Sequence, residues 1–175
     1  GGGFSIRKIE SLHLRQIMFL SNDGEKGGGL YATDVNYVRL DDCHFESNSA
    51  QLGGGAYLEN ILITGIDLSR CVLLNNTSVE YGGGIAFAQN NENIRIVDTT
   101  FMSNFGRTSG GALAFDWKNT NIQILNSTFS DNVATRSKRN EVTIGVGGAI
   151  IFWDDNKNIE ISSSTFDGNN AGLSG

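Results

Sequence analysis

The chain has no proline, and it contains only two cysteines and two histidines among its 175 residues. Proline lacks a backbone N–H and removes a hydrogen bond from the interior of a sheet, so its absence is compatible with strands that are paired on both edges. The sequence has no amphipathic helical stretch of useful length and no apolar run long enough to span a membrane. We therefore expect an all-β fold, without direct membrane insertion of this segment.

Positive charge is also scarce, since 13 lysines and arginines are outnumbered by 19 acidic residues and the net charge is −6. A nucleic-acid-binding chain usually carries a basic face, so nucleic acid is not expected as a partner. His13 and His44 have no further ligands at metal-binding spacing. The sequence predicts neither a metal nor another cofactor.

The sequence is rich in a short repeat of the form Phe-x-x-Asn. Five copies begin at Phe19, Phe45, Phe101, Phe129 and Phe166, and a sixth copy has Leu73 in place of phenylalanine. Successive copies begin 26, 28, 28, 28 and 37 residues apart. A period in this range is typical of solenoids, in which each repeat contacts only its neighbours.

A second motif lies between the tetrads and consists of two glycines, then glycine or alanine, then an apolar residue. Its copies begin at Gly1, Gly27, Gly54, Gly82, Gly110 and Gly147. The glycine pair either supplies a positive φ at a corner or lets neighbouring atoms approach closely. The sequence does not distinguish these two explanations.

Apolar and polar residues alternate in the rest of each repeat, which is the period of β-strands. Alignment of the copies places Ile94, Ile122 and Ile159 in one column and the tetrad asparagines in another. Columns of this kind form a continuous core, and stacked asparagine side chains can hydrogen-bond to their copies above and below. The sequence therefore predicts a parallel β-helix of about six rungs, with three short strands per rung.

Together the two motifs resemble the polymorphic outer-membrane protein (Pmp) repeats of chlamydiae and related β-helix repeats of other surface proteins. The resemblance rests on Gly-Gly-Ala-apolar at 110–113 and 147–150 and on the Phe-x-x-Asn tetrads. The sequence departs from it at Gly3, Gly29, Gly84 and Tyr57. The resemblance implies a right-handed, pectin-lyase-like β-helix that is secreted and displayed at a surface, often as an adhesin, and it does not imply an enzyme.

We expect residues 1–175 to form a single β-helix segment that is a slice of a longer repeat protein. Residues 133–146, in the 37-residue repeat, are expected to form an inserted loop, and insertions of this kind often lie on the binding face. Arg136, Lys138 and Arg139 make this loop basic, and Arg-Ser-Lys-Arg resembles a furin-type processing site. The alternative is an ordinary solvated loop.

One turn region concentrates the residues that could contact a ligand. Alignment places Trp117 in the column of Asp154 and Trp153 in the column of Asp116, with Asp155 beside them. Exposed indoles next to carboxylates can bind sugar rings or a protein partner. The alternative is that the tryptophans simply pack over the turn.

Acidic pairs raise the possibility of polysaccharide cleavage, for which Ca²⁺ binding or general acid–base chemistry needs clustered carboxylates. The candidates are Asp41-Asp42 and Asp154-Asp155. Consecutive strand residues point to opposite faces, so we expect these pairs to be solvated surface acids.

Cys43 and Cys71 are one period apart and so lie on adjacent rungs. They form either a disulfide or a pair of buried free thiols. Glycosylation sequons begin at Asn75, Asn76 and Asn126. Asn76 belongs to the asparagine column, so Asn75 and Asn126 are the candidates for a glycan.

These features favour a non-enzymatic, extracellular or cell-surface element of structural or adhesive function. It would contact protein partners, or copies of itself through the solenoid ends as part of a fibre or filament. The alternative is a carbohydrate-binding or polysaccharide-degrading β-helix domain, with glycans as ligands.

Overall fold

The computed structural model describes residues 1–136 and 146–173. All regular elements in these ranges are β-strands, and none of the described residues belongs to a helix that could cross a membrane. The strands form a parallel β-helix in which every rung contributes one strand to each of four sheets. The predicted fold class and the six rungs are confirmed, because each sheet contains six strands.

The strands follow one another rung by rung. The first two rungs contain β1 (Phe4–Arg7), β2 (Ser11–Arg15), β3 (Met18–Leu20), β4 (Asp23–Lys26), β5 (Leu30–Thr33), β6 (Tyr37–Asp41), β7 (His44–Glu46) and β8 (Ser49–Leu52). The next two contain β9 (Ala56–Glu59), β10 (Gly65–Ser69), β11 (Val72–Leu74), β12 (Thr77–Ser78), β13 (Ile85–Gln89), β14 (Glu92–Val97), β15 (Thr100–Met102) and β16 (Phe105–Gly106). The last two contain β17 (Leu113–Trp117), β18 (Thr120–Leu125), β19 (Thr128–Ser130), β20 (Val133–Arg136), β21 (Ile150–Phe152), β22 (Lys157–Ser162), β23 (Thr165–Asp167) and β24 (Asn170–Leu173).

We name the sheets A, B, C and D after the first, second, third and fourth strand of each rung. Sheet A has the order β1-β5-β9-β13-β17-β21, and the other three sheets stack in the same way. The fourth strand was not predicted, since three strands per rung were expected. Its inward column is Gly24, Ala50, Ser78, Gly106, Ala134 and Ala171. These residues are small or polar, so sheet D lacks the alternation of large apolar and polar residues that marks a strand in sequence.

The core consists of in-register columns, as predicted. Ile94 pairs with Ile122, and Ile122 with Ile159. Ile94 and Ile122 are completely buried. The tetrad phenylalanines stack face to face where they are consecutive, with ring centroids of Phe101 and Phe129 4.8 Å apart. This spacing is the separation of neighbouring strands in a sheet, so one aromatic ring per rung fills the column.

The predicted asparagine column is a continuous hydrogen-bonded ladder. The Asn104 side chain shows the pattern: its Nδ2 donates to Asn132 Oδ1 at 3.0 Å and to the Leu73 carbonyl oxygen at 2.8 Å. Its Oδ1 accepts from the backbone N–H and from Nδ2 of Asn76, both at 3.0 Å. Every polar atom of this buried side chain is therefore satisfied within the rungs.

The glycine motif performs both of the functions that sequence left open, one at each glycine. Gly82 has a φ of +69°, which turns the chain from sheet D into sheet A. Gly83 has an ordinary φ, but a Cβ there would lie 2.3 Å from the carbonyl oxygen of Gly111 on the next rung. In the third copy the positive φ is at Gly53, so that copy begins at Gly53 and not at Gly54. Ala56, and not Tyr57, is then its fourth residue.

Cys43 and Cys71 are buried free thiols in the structure, the second of the two alternatives. The neighbouring Cys71 thiol lowers the pKa of Cys43, whereas the Cys43 thiol, followed by burial, raises the pKa of Cys71. Both thiols also point at backbone carbonyls, and Cys71 Sγ is 3.5 Å from the Ser69 oxygen. In the same column, Thr99 Oγ1 donates to the Val97 oxygen at 2.9 Å. This column therefore favours a small side chain that can donate a hydrogen bond to a backbone carbonyl oxygen.

Replacement of Cys71 by threonine is accordingly expected to be tolerated better than replacement by valine, which has the same shape as threonine. Threonine at this position reproduces the Thr99 hydrogen bond, whereas valine has no donor. The difference in unfolding free energy between the two variants should be about 1 kcal/mol in favour of threonine, the net value of one hydrogen bond. Urea unfolding of both variants measures it, and a valine variant as stable as the threonine variant would contradict this account of the column.

Candidate functional site

Trp117 and Trp153 lie on adjacent rungs where sheet A turns towards sheet B. Phe115 pairs with Phe152, which places Asp116 level with Trp153 and Trp117 level with Asp154. The backbone N–H of Trp153 donates to the Phe115 carbonyl oxygen at 2.8 Å. The predicted columns are therefore present, and the exposed fractions of Trp117 and Trp153 are 49% and 44%.

The charges around the two indoles are mixed. Asp154 and Asp155 are exposed. The Lys118 ammonium lies 5.1 Å from the centroid of the Trp117 ring, within the range of a cation–π contact. This corner therefore presents two half-exposed aromatic rings to solvent, which is the chemistry of a contact surface. Whether it binds a sugar or a protein stays a prediction.

A second aromatic group lies on the outer face of sheet A, and the sequence analysis did not identify it. Tyr57 is only 3% exposed although it points away from the main core. It packs in a separate cluster with Ala86 and Ala88, against which Tyr31, Leu52 and Tyr81 also pack. The signal was available, since Tyr31 and Tyr57 occupy one column and small residues follow them at Ala86 and Ala114. Alanines there leave room for rings from neighbouring rungs.

Carboxylates surround this aromatic cluster. The Tyr81 hydroxyl donates to Asp116 Oδ2 at 3.3 Å. Burial raises the pKa of Asp116, the hydrogen bond from Tyr81 opposes this rise, and the nearby charges of Asp154 and Glu59 add to it. Burial, followed by the charge of Glu59, raises the pKa of Tyr57. We call Tyr57, Tyr81, Glu59 and Asp116 the tyrosine–carboxylate patch.

One lysine already contacts the patch. The Lys26 ammonium lies 4.8 Å from the centroid of the Tyr57 ring. Glu59 accepts a hydrogen bond from Gln89 Nε2 at 3.1 Å, a neutral donor. The ion pairs formed by the described residues involve other acids: Asp34, Asp41, Asp42, Glu46 and Asp67. Within that part of the chain, Glu59 and Asp116 therefore have no cationic partner.

The outer face of sheet B forms a shallow polar groove of about 660 Å³. Its wall contains the column Asp67, Arg95, Gln123 and Glu160. Arg95 Nη1 is 3.4 Å from Asp67 Oδ1, and Gln123 Nε2 donates to Glu160 Oε2 at 3.0 Å. Tyr37 and Asn121 also line the groove. The polar groups of this column largely bond to one another along the rungs.

The acidic pair Asp41-Asp42 is engaged in structural contacts. The expectation of solvated surface acids is wrong for Asp41, which is 7% exposed and accepts a hydrogen bond from Ser69 Oγ at 2.8 Å. This hydrogen bond lowers the pKa of Asp41, and the Arg70 charge lowers it further. Asp42 accepts from Arg70 Nε at 3.0 Å. Among the residues that the structure describes, no group of three His, Cys, Asp or Glu side chains is arranged to hold a metal ion.

The sequons differ in accessibility. Asn76 is completely buried in the asparagine ladder, as expected. Asn75 and Asn126 are both exposed, and the Asn126 amide donates to Asp98. Glycosylation of either residue stays a prediction. The predicted start of the inserted loop at residue 133 is wrong, because Val133–Arg136 form β20, and Lys138 and Arg139 lie outside the described residues.

The fold and these surfaces define the protein as a β-solenoid whose regular positions form the scaffold, and two of its irregular residues, Trp117 and Trp153, face outward. Residues 3–174 match the model of the right-handed β-helix region, so the chain belongs to this family and its helix is right-handed. No curated protein and no solved structure matches the chain significantly. The family is confirmed, while the narrower resemblance to Pmp repeats stays a prediction.

Proposed function

We propose that the chain is a non-enzymatic, extracellular or cell-surface β-helix element that acts as a stiff scaffold and contacts partners through its outer side chains. The observation that carries this proposal is the pair of half-exposed indoles, Trp117 and Trp153. The tetrad asparagine side chains, in contrast, hydrogen-bond to one another within the ladder. Exposed tryptophans that a rigid backbone presents together are favoured contact residues. A display function of the Pmp type fits this arrangement.

An adhesion assay tests the proposal. Beads coated with the chain should be retained on a layer of cultured cells, and the double variant Trp117→Ala, Trp153→Ala should lose most of this retention. Met102→Ala is the matched control, because Met102 is also an exposed large apolar residue (36%) but lies in sheet C. Equal retention of the double variant and the wild type would overturn the proposed contact. Depolymerisation of an acidic polysaccharide that Asp154→Ala abolishes would overturn the non-enzymatic function.

A carbohydrate-binding or carbohydrate-cleaving domain is the second candidate, and the groove on sheet B favours it. Asp67, Arg95 and Gln123 offer the donors and acceptors that recognise sugar hydroxyls, with Tyr37 as an aromatic neighbour. Binding on a glycan array that Gln123→Ala weakens is the expected result for this candidate. Absence of binding to every glycan on the array would exclude it.

Self-association through the solenoid is a further part of the proposal. The in-register columns, such as Ile94, Ile122 and Ile159, repeat from rung to rung, so a rung of a second copy could continue them and extend the sheets. Sedimentation at increasing concentration is expected to show association, and a monodisperse monomer at high concentration would count against it.

A further inference from the structure

The tyrosine–carboxylate patch combines two features that attract organic cations. Aromatic faces attract an ammonium or guanidinium group through the ring quadrupole. Carboxylates add an opposite charge, and their effect is larger where burial lowers the local dielectric. Glu59 follows Tyr57 by two residues on β9 and so shares its face of the sheet, and Asp116 Oδ2 is 3.3 Å from the Tyr81 hydroxyl. Burial, together with the charges of both carboxylates, raises the pKa of the two tyrosines. The patch thus has the composition of a cation site.

The Tyr57 hydroxyl provides an independent observation. Tyr57 is only 3% exposed, yet its hydroxyl has no hydrogen-bond partner among the described residues. Wholly buried side-chain oxygens in this part of the chain all have partners, so this hydroxyl must reach solvent at the patch surface. A buried ring therefore presents an unpartnered polar atom to the outside, next to Glu59 and Asp116.

The chain itself shows that these rings accept a cation. Lys26 places its ammonium 4.8 Å from the centroid of the Tyr57 ring. Lys26 covers only this ring, while the hydroxyl of Tyr81 is turned to Asp116 at 3.3 Å. The carboxylate side of the patch is accordingly left for a second positive group.

We propose that the tyrosine–carboxylate patch binds a lysine or arginine side chain presented by a partner protein. The inference rests on the proposed partner-contact function and names the chemistry of one contact. The incoming ammonium or guanidinium group lies against the Tyr81 ring, donates hydrogen bonds to Asp116 and Glu59, and also meets the Tyr57 hydroxyl. Trp117 and Trp153, on the adjacent corner, supply apolar contacts to the flanking part of the same partner.

A peptide titration followed by NMR tests the proposal. The probe is acetyl-Gly-Lys-Gly-amide, and the matched probe carries Nε-acetyllysine, which has no charge. We expect the lysine peptide to shift the amide signals of Tyr57, Tyr81 and Asp116, and the acetylated peptide to leave them unchanged. Spermidine is the third probe, and binding of spermidine but not of the peptide would assign the patch to small polyamines and overturn the proposal.

The Asp116→Asn variant should bind the lysine peptide at least tenfold more weakly. The raised pKa of Asp116 means that its carboxylate is less favourable in the folded chain than in the unfolded one, so the variant should be no less stable than wild type at neutral pH. Urea unfolding of the variant checks this expectation, and weaker binding by a variant as stable as the wild type reports on the site itself. Asp67→Asn on sheet B removes the same charge and should change binding less than twofold. Equal losses in the two variants would show general electrostatics only and overturn the proposal.

The pH dependence gives a second readout. Tyr81, Asp154 and Glu59 are the titratable groups that act on Asp116, and burial keeps its pKa above that of an ordinary aspartate. As the pH is lowered, Asp116 is therefore protonated, and peptide binding weakens, at a higher pH than if the carboxylate belonged to an ordinary surface aspartate. The double variant Lys138→Gln, Arg139→Gln tests whether the chain's own basic segment occupies the patch. Peptide binding that appears only in this variant would identify that segment as the occupant and overturn the partner proposal.

Failure of this inference and failure of the proposed function can be told apart. Bead retention that depends on the tryptophans but not on Asp116 would leave the scaffold function standing without the cation site. Peptide binding through Asp116 without retention of coated beads would show the reverse.

Discussion

Replacement of Asn104 by alanine is expected to destabilise the fold strongly, because this side chain links three rungs. The change removes the acceptor of the Asn76 backbone N–H and one acceptor of the Asn76 amide. It also removes the donor that reaches the Leu73 carbonyl oxygen on the rung below. Buried groups without partners cost about 1–3 kcal/mol each, so we expect a loss of about 3 kcal/mol or more in unfolding free energy.

Urea unfolding of Asn104→Ala measures this loss, and Asn22→Ala is the matched control. Asn22 is at the first rung of the same ladder, is only partly buried, and donates to Asn48 Oδ1. Its removal leaves no buried donor of another asparagine without an acceptor among the described residues. We expect the control to lose less than about 1 kcal/mol. Equal losses in the two variants would show that the ladder does not hold the rungs together cooperatively.

The asparagine ladder and the apolar columns could be predicted because the repeat makes them visible. Positions one period apart must stack, so an alignment of Ile94 with Ile122 is already a statement about a contact. The same argument predicted that Trp153 lies level with Asp116, and the strand register bears it out. In a solenoid, the residues that stack in one column can be identified from their spacing in the sequence, provided that the insertions are recognised.

The fourth strand and the contact of Tyr81 with Asp116 in the tyrosine–carboxylate patch could not be predicted in the same way. Sheet D has small inward residues such as Ala50 and Gly106, so the hydrophobic alternation that identifies a strand is missing. The patch depends on contact between columns of different sheets: Tyr81 precedes the glycine corner, while Asp116 lies in sheet A. An alignment gives neighbours along a column, but the angle at each corner decides which columns meet across it.

The glycine corner itself leads to the second large prediction, in which Gly83→Ala should be far more damaging than Gly84→Ala. A Cβ on Gly83 would lie 2.3 Å from the Gly111 carbonyl oxygen and 2.5 Å from that of Phe105. Both atoms are backbone, so the methyl group can be accommodated only if the rungs or sheets move apart. Overpacking of this kind costs about 3 kcal/mol or more where backbone must shift.

Gly84 is the matched position because the next two rungs have Ala112 and Ala149 in its place. Neither Gly83 nor Gly84 has a positive φ, so replacement by alanine reduces the entropy of the unfolded chain equally at both. The comparison therefore isolates the close approach of the backbone. A Cβ on Gly84 would lie 2.7 Å from the Ala112 carbonyl oxygen, which is also a close approach. We nevertheless expect Gly84→Ala to lower the unfolding free energy by only about 1.5 kcal/mol, because alanine already occupies this position of the motif at Ala112 and Ala149.

Urea unfolding of the two purified variants decides the matter, and recovery of Gly83→Ala only as insoluble protein would agree with the expectation. Wild-type stability of Gly83→Ala would mean that the second glycine is dispensable and that the corner depends on the positive φ of Gly82 alone, and equal losses in the two variants would contradict the expected difference between the positions. The expected result assigns a distinct physical requirement to each position of the motif. The first glycine must adopt a left-handed conformation, the second must let the backbone of the next rung approach, and the third needs only to be small.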